Sequence, residues 1–251
     1  MAATDQLLAR AVRRDPARPL LTYYDDKLGE RAELSATTLA NWVAKTANLL
    51  QDELALAAGD RVAIVLPTHW QTAAVLLATW AVGGVASTDP DGAAVAFTDV
   101  PRLPRVLAAQ PGEVAALSLA PLGQGLAEPA DGALDFATAV RAHGDSFTAY
   151  APVPDDAPAV DDDGTLLSGA ELVEEAHRRA GEMGLREGDR VLTVLAWEDP
   201  ADWVDGLLAP LAAGASLVLC VHPDPDLLRS RAEAERATAT VGVTVNGIRT
   251  L

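Results

Sequence analysis

The sequence is poor in cysteine, lysine and aromatic residues: it has one cysteine, Cys220, two lysines, Lys27 and Lys45, and 4% Phe, Tyr and Trp. A lone thiol cannot close an internal disulfide. At 251 residues none is needed, because a chain of this length buries about three quarters of the surface its unfolded form exposes. With so few rings, the core must come from Ala, Val and Leu within the 49% apolar residues. Cys220 lies in the run 217–221 and reads as a small buried hydrophobe, not a catalytic thiol. Positive charge is also scarce. Nineteen Lys and Arg against 36 Asp and Glu leave −17, which excludes nucleic acid and acidic membrane surfaces as partners, since a polyanion is held by clustered cations. No run supplies the ~20 apolar residues of a membrane span; the best, 206–221, is broken by Pro210 and Gly214. The first 19 residues carry Arg10, Arg13 and Arg14 without an apolar core, so no signal peptide is expected and the expected location is cytoplasmic.

What the chain does contain is a duplication. Gly59-Asp60-Arg61-Val62 returns as Gly188-Asp189-Arg190-Val191. Ahead of the first copy, Ser35 can cap a helix with Leu39, Val43, Ala47 and Leu50 near a helical period. Ahead of the second, Ser168 and Glu171 form a capping box before Leu172, Ala176, Ala180 and Met183. Each Gly-Asp-Arg is followed by a five-residue run without alternation, 62–66 and 191–195, apolar throughout except for Thr193, as in strands buried on both faces. Apolar helices over 71–82 and 201–213 then lead to small residues and a further strand at Val85 or Ser216. The expected fold is α/β, with an open, mostly parallel sheet or sheets, helices on both faces, and two pseudo-repeated helix-strand-helix-strand halves. Residues 20–24 and 30–34 read as a hairpin, 94–98 and 114–119 as strands around a short helix at 101–109, 120–132 as a loop and 152–164 as an acidic linker. Beyond these, 226–237 reads as a charged helix and 239–245 as a strand.

The ordered succession of Leu34-Ser35-Ala36-Thr37-Thr38-Leu39, Gly59 through Pro67, and Gly83-Gly84-Val85-Ala86 resembles the opening motifs of the AMP-binding, adenylate-forming acyl-CoA synthetase superfamily. The segment from Leu167-Ser168 through Gly188-Asp189-Arg190-Val191 to Ala213-Gly214-Ala215 is similar to the part that follows the phosphate-binding loop there, and residues 233–238 look like its next helix and strand. Within that superfamily the pattern is similar to a small actinobacterial family distantly related to AMP-binding enzymes. The resemblance covers most of this chain but less than half of a complete superfamily member. It implies a single truncated AMP-binding-like domain over 1–251, with halves of about 1–150 and 151–251.

Departures from the superfamily pattern bear on function. Its enzymes carry a Ser/Thr/Gly-rich loop with a lysine that cradles ATP phosphates. Here that place holds Asp161-Asp162-Asp163-Gly164-Thr165-Leu166, whose carboxylates repel a triphosphate. No lysine follows Lys45, and Arg is no equivalent for a compact phosphate-directed ammonium. The motifs of the superfamily's later segments are not found in this sequence. The resemblance thus implies a degenerate, non-catalytic protein that binds a nucleotide-type or acyl-type small ligand or a protein partner. The alternatives are a residual acyl-adenylate or acyl-CoA-related enzyme, or an interaction module for a full-length synthetase. A homodimer would cover edges exposed by truncation.

In open α/β sheets ligands collect beyond the carboxyl ends of strands, which selects Thr68, His69 and Trp70 after the first repeated strand and Trp197, Glu198 and Asp199 after the second. Structural roles compete with this assignment. Thr68 can cap the next helix, the two tryptophans can be packing residues, and Trp42 and Trp80 fall on apolar helix faces as core. No nucleophile elbow accompanies His69, and His143, His177 and His222 lack metal-ligand spacing. No catalytic residue, cofactor or metal is therefore expected, and Asp161–Asp163 is expected to be a solvated linker rather than a cation site.

Overall fold

The structure, a computed structural model, describes residues 2–251 apart from the side chain of Leu122. It falls into two compact units: one holds the residues up to Gln6 together with Ala40–Leu172, the other Leu7–Leu39 with Val173–Leu251. Helix α1 (Asp5–Arg14) precedes a hairpin of β1 (Pro19–Asp25) and β2 (Glu30–Ser35), then α2 (Ala36–Asn48), β3 (Arg61–Val65), α3 (Trp70–Ala81) and β4 (Val85–Ser87). The chain continues through β5 (Val95–Asp99), α4 (Leu103–Ala108), β6 (Glu113–Leu117), β7 (Leu134–Asp135) and α5 (Phe136–Val140). A second hairpin, β8 (Pro158–Asp162) and β9 (Thr165–Ser168), leads into α6 (Gly169–Glu182), β10 (Arg190–Thr193), α7 (Pro200–Trp203), α8 (Ala209–Ala213) and β11 (Ser216–Val221). The last elements are α9 (Pro225–Ala234), β12 (Ala239–Val241) and β13 (Arg249–Thr250). No helix among the described residues is long and apolar enough to cross a membrane.

Each unit holds one sheet. In the first, the strand order is β7-β6-β5-β3-β4-β8-β9; in the second it is β13-β12-β10-β11-β1-β2. Both are parallel except for the hairpin at one edge, where β9 runs against β8 and β2 against β1. The central strands are buried along almost their whole length, as the unalternating apolar runs require, because helices cover parallel strands on both faces. Ala63, Ala96, Val106 and Ala116 share one apolar cluster; Leu192, Val218, Cys220 and Ala232 share another, in the other unit. The Cys220 thiol is buried there, and burial pushes its pKa up to about 12.

The repeat is exact to the level of single hydrogen bonds. In the first copy the Asp60 carboxylate accepts from Ala57 N at 2.8 Å, and in the second Asp189 accepts from Arg186 N at 2.8 Å. Gly59 N donates to Gly83 O and Gly188 N to Gly214 O; Val85 N donates to Asp60 O and Ser216 N to Asp189 O. Ala94 N meets Arg61 O at 2.9 Å, as Thr238 N meets Arg190 O. The aspartate thus fastens the turn ahead of its strand while its carbonyl starts the next strand, which is why a Gly-Asp pair recurs at both junctions.

The repeat also reaches further upstream than Ser35 and Ser168. Each copy begins with a hairpin, and each hairpin joins the sheet that holds the other copy's strands. β1, which precedes the first copy, pairs with β11 of the second, and β8, which precedes the second, pairs with β4 of the first. Both expected caps form. Thr38 N donates to Ser35 Oγ at 3.1 Å, and Ser168 exchanges bonds with Glu171, whose backbone N donates to Ser168 Oγ at 3.2 Å.

Some local expectations are corrected. The acidic stretch before Gly164 is not all linker, since Asp161 and Asp162 lie in β8 and pair with Leu166 and Thr165. The helix expected over 201–213 forms with a π-helical stretch at Val204–Leu208. The strand β7 and the short α5 carry too few residues to be read from sequence alone, whereas the unread α1 has an amphipathic pattern that buries Leu7 and Leu8.

Candidate functional site

The place where the superfamily's phosphate loop is expected is a two-residue hairpin turn. Asp162 and Thr165 are paired, leaving Asp163 at φ +48° and Gly164 at φ +86°. Two successive positive φ values give the turn whose twist matches that of the strands, and Asp-Gly suits it because both residues tolerate the left-handed region. Asp161 is engaged rather than free. Its carboxylate accepts from Gly164 N at 2.8 Å and lies 3.2 Å from the Arg61 Nε in an ion pair. Arg61 also donates to the Asp91 carbonyl at 3.1 Å. The three carboxylates of Asp161–Asp163 therefore decorate a closed turn whose backbone N–H groups are not gathered into a phosphate cradle.

Thr68, His69 and Trp70 follow β3 at its carboxyl end. The cap of α3 is His69, not Thr68: the His69 Nδ1 accepts from Gln71 N at 3.1 Å, an imidazole doing what a hydroxyl was expected to do. His69 is 1% exposed, so it is not a surface group, and its ring lies 5.5 Å from that of Trp70. Trp70 in turn meets Trp42 edge to face at 5.0 Å. Trp42 is half-buried rather than core, whereas Trp80 is buried and donates from Nε1 to the Ala159 carbonyl at 2.9 Å. Gly123, at φ +63°, comes so close to the Trp42 ring that a Cβ there would stand 3.2 Å from it and 3.5 Å from Gln71 Nε2.

Inside this group two buried polar atoms, Trp70 Nε1 and Gln71 Oε1, have no hydrogen-bond partner among the described residues. Trp70 Nε1 is an unpaired donor and Gln71 Oε1 an unpaired acceptor, each of which a small polar group would satisfy. Gln71 was not singled out from the sequence. A polar residue in the first turn of an otherwise apolar, fully buried helix was the signal available.

Trp197, Glu198 and Asp199 lie in the other unit from Thr68, His69 and Trp70. Asp199 caps α7 in a reciprocal capping box with Asp202, and Glu198 is held through its backbone N, which donates to the Asp202 carboxylate at 2.8 Å. Trp197 is buried against Gly206, where an added Cβ would stand 2.1 Å from the Trp197 Nε1. Of this triplet only Glu198 offers an exposed side chain without a structural task.

The same unit contains two polar groupings that sequence reasoning did not identify. Glu235 accepts from Tyr24 Oη at 2.7 Å, Arg190 Nη2 at 2.6 Å and Arg31 Nη2 at 2.8 Å. Burial pushes its carboxyl up, but the bonds from Tyr24, Arg190 and Arg31 outweigh burial and hold it at about 2. Asp25 and Glu30, paired across the first hairpin, are both buried, and both Glu30 oxygens lack a hydrogen-bond partner among the described residues. Burial and the neighbouring Asp25 charge raise the Glu30 carboxyl above its ordinary value. His222 Nδ1 lies 3.2 Å from Asp25 Oδ1, at the carboxyl end of β11. Among the described residues no group of three or more His, Cys, Asp or Glu side chains is arranged to hold a metal ion.

Residues 8–91 match a family model described as AMP-binding enzyme. A TIGR03089 family protein of Mycobacterium tuberculosis is 47% identical over 240 residues, 92% of this chain and 95% of that one. Among solved structures, the acetoacetyl-CoA synthetase of Streptomyces lividans superposes with a TM-score of 0.77 at 25% identity, over 96% of this chain and 42% of its own. An acyl-CoA synthetase of Brucella canis gives 0.76 at 20% identity, over 96% and 47%, and at that identity shows the fold alone. The chain therefore spans less than half the length of these two synthetases.

Proposed function

Because the chain belongs to the TIGR03089 family and has a fold similar to that of part of the acyl-CoA synthetases, we propose that it is a non-catalytic AMP-binding-like protein, one that binds a small ligand of nucleotide or acyl type without adenylating it. The observation that carries this is the two-residue turn at Asp163-Gly164. Phosphates are held by a run of backbone N–H groups with a lysine ammonium, and a tight turn flanked by carboxylates supplies neither. The binding role rests on the open donor and acceptor at Trp70 Nε1 and Gln71 Oε1, placed where α/β sheets receive ligands.

A second reading, docking to a full-length synthetase, is favoured by Leu166. This residue stands 57% exposed on the edge strand β9, where backbone groups remain available for another strand. The test is a thermal-shift series with ATP-Mg, AMP, an acyl-adenylate mimic and coenzyme A, run beside pyrophosphate exchange on the same protein. Saturable stabilisation without exchange is expected. Robust ATP-dependent exchange overturns the non-catalytic reading, and no stabilisation by any of the four overturns small-ligand binding in favour of docking.

A further inference from the structure

The group formed by Trp42, Trp70 and Gln71 is covered on one side by backbone. Gly123, in the short 3-10 turn Pro121–Gly123, lies against the Trp42 ring and the Gln71 amide, where a Cβ would stand 3.2 Å from Trp42 Cη2 and 3.5 Å from Gln71 Nε2. The turn belongs to a segment, residues 118–126, that leaves the carboxyl end of β6 and holds no strand of its own. The chain returns through β7, which pairs with β6 at Ala116 and Asp135, so the loop starts and ends on neighbouring strands. A loop with adjoining ends is able to move as a unit without disturbing the sheet that carries it.

Three side chains fasten this segment. Ser118 Oγ donates to the Gln124 carbonyl at 2.5 Å, Asp135 accepts from Leu126 N at 3.1 Å, and Arg141 Nη2, from the end of α5, donates to the Gly123 carbonyl at 2.5 Å. Two features oppose them. Leu119, at the root of the segment, has φ +54°, a left-handed conformation that costs a non-glycine residue free energy and persists only where surrounding contacts impose it. In the covered group, Trp70 Nε1 and Gln71 Oε1 are buried without a hydrogen-bond partner among the described residues, so the cover buries polar atoms that it does not satisfy. Bonds at the rim hold the segment down while backbone strain and unpaired polar atoms favour lifting it.

We infer that residues 118–126 are a strap that lifts from Gln71 and Trp42 to admit a ligand, with the bond from Arg141 to the Gly123 carbonyl as its latch. Trp70 and Gln71 are only 3% and 2% exposed, so a ligand that reaches their open atoms requires a cover that moves, and Gly123 lies directly on the Gln71 amide. The purpose of the strap rests on the small-ligand reading given above, whereas its opening does not.

The test uses the full chain with Gln71→Cys as a reporter, alkylated with iodoacetamide and read by mass spectrometry. Cys220, buried in the other unit and with its pKa pushed up to about 12, is the internal control. Adding Arg141→Ala, an exposed side chain, should speed alkylation at position 71 about tenfold, the effect of losing one charge-assisted hydrogen bond, and leave Cys220 unreactive. Ser118→Ala should act in the same direction. If the reporter fails to fold, amide hydrogen exchange on Arg141→Ala alone should show protection falling at Gly123 and Leu126 and holding in β5 and β6. An unchanged rate at position 71, unchanged exchange in the strap, or an equal rise at Cys220 overturns the latch. AMP is titrated against the parent in parallel by thermal shift: faster alkylation without stabilisation by AMP supports the strap and counts against AMP as its ligand.

Discussion

Arg61 Nε lies 3.2 Å from Asp161 Oδ2, so the arginine of the first Gly-Asp-Arg holds the acidic hairpin that stands in the place of a phosphate loop. The pair is only partly exposed, Arg61 at 32% and Asp161 at 14% of their side-chain surfaces. Arg61→Ala should cost about 1 kcal/mol of global stability, the upper end for an ion pair in such surroundings. Amide hydrogen exchange should report the change locally, with protection falling in residues 158–168 and holding in β5 and β6. Uniform loss across the sheet would mean that the arginine does not act through the hairpin.

The turn itself can be tested at Asp163. A β-branched residue at φ +48° crowds its own carbonyl, so Asp163→Val should cost about 1–2 kcal/mol in a denaturant melt. Asp163→Asn, equally at home in the left-handed region, should leave the midpoint unchanged.

Glu235 predicts an acid-sensitive limb. Its folded pKa of about 2 lies below the ordinary 4.5, so its contribution to stability is present above pH 4.5 and is lost as pH falls toward 2. Glu235→Gln leaves Arg190, 11% exposed, without its carboxylate and should destabilise by about 3 kcal/mol at neutral pH. The variant should also flatten the pH dependence of the urea midpoint between pH 5 and 2.

Glu30 predicts the opposite slope. A carboxyl whose folded pKa is raised binds its proton more tightly in the native state, so its contribution is full below 4.5 and declines as pH rises through the folded value. Glu30→Gln keeps the neutral form at every pH. Parent and variant should therefore diverge as pH rises, the variant being the more stable at pH 8, when both are compared by chemical denaturation.

Gly206 is a packing prediction. The 2.1 Å approach of a Cβ to Trp197 Nε1 means that Gly206→Ala must displace the indole, at a cost of about 1–3 kcal/mol with an altered tryptophan emission.

Much of the fold was legible because its signals are local and duplicated. The Gly-Asp-Arg turns, the apolar runs at 62–66 and 191–195, and the caps at Ser35 and Ser168 each specify their element within a few residues, and the second copy corroborates the first. The site was less legible. His69 caps α3 because its ring nitrogen reaches Gln71 N, a use of imidazole that composition does not announce. Asp161–Asp163 read as a linker because three carboxylates in a row suggest solvent, whereas Asp161 makes a long-range pair with Arg61, one hundred positions earlier, and Asp162 and Asp163 belong to the hairpin. The assignment of β1 to β11 and of β8 to β4 is likewise non-local, and no periodicity encodes it.

That exchange of hairpins has a consequence for how the molecule can be divided. A scission at residue 150 would leave one fragment with β1–β2 but without β11, and another with β8–β9 but without β4, so each fragment would carry an orphan ribbon and a sheet with a vacant slot. The two fragments are complementary, each supplying the strand the other needs. The chain has the connectivity of a strand-exchanged dimer written as one polypeptide: its halves should be insoluble alone and reconstitute when synthesised together.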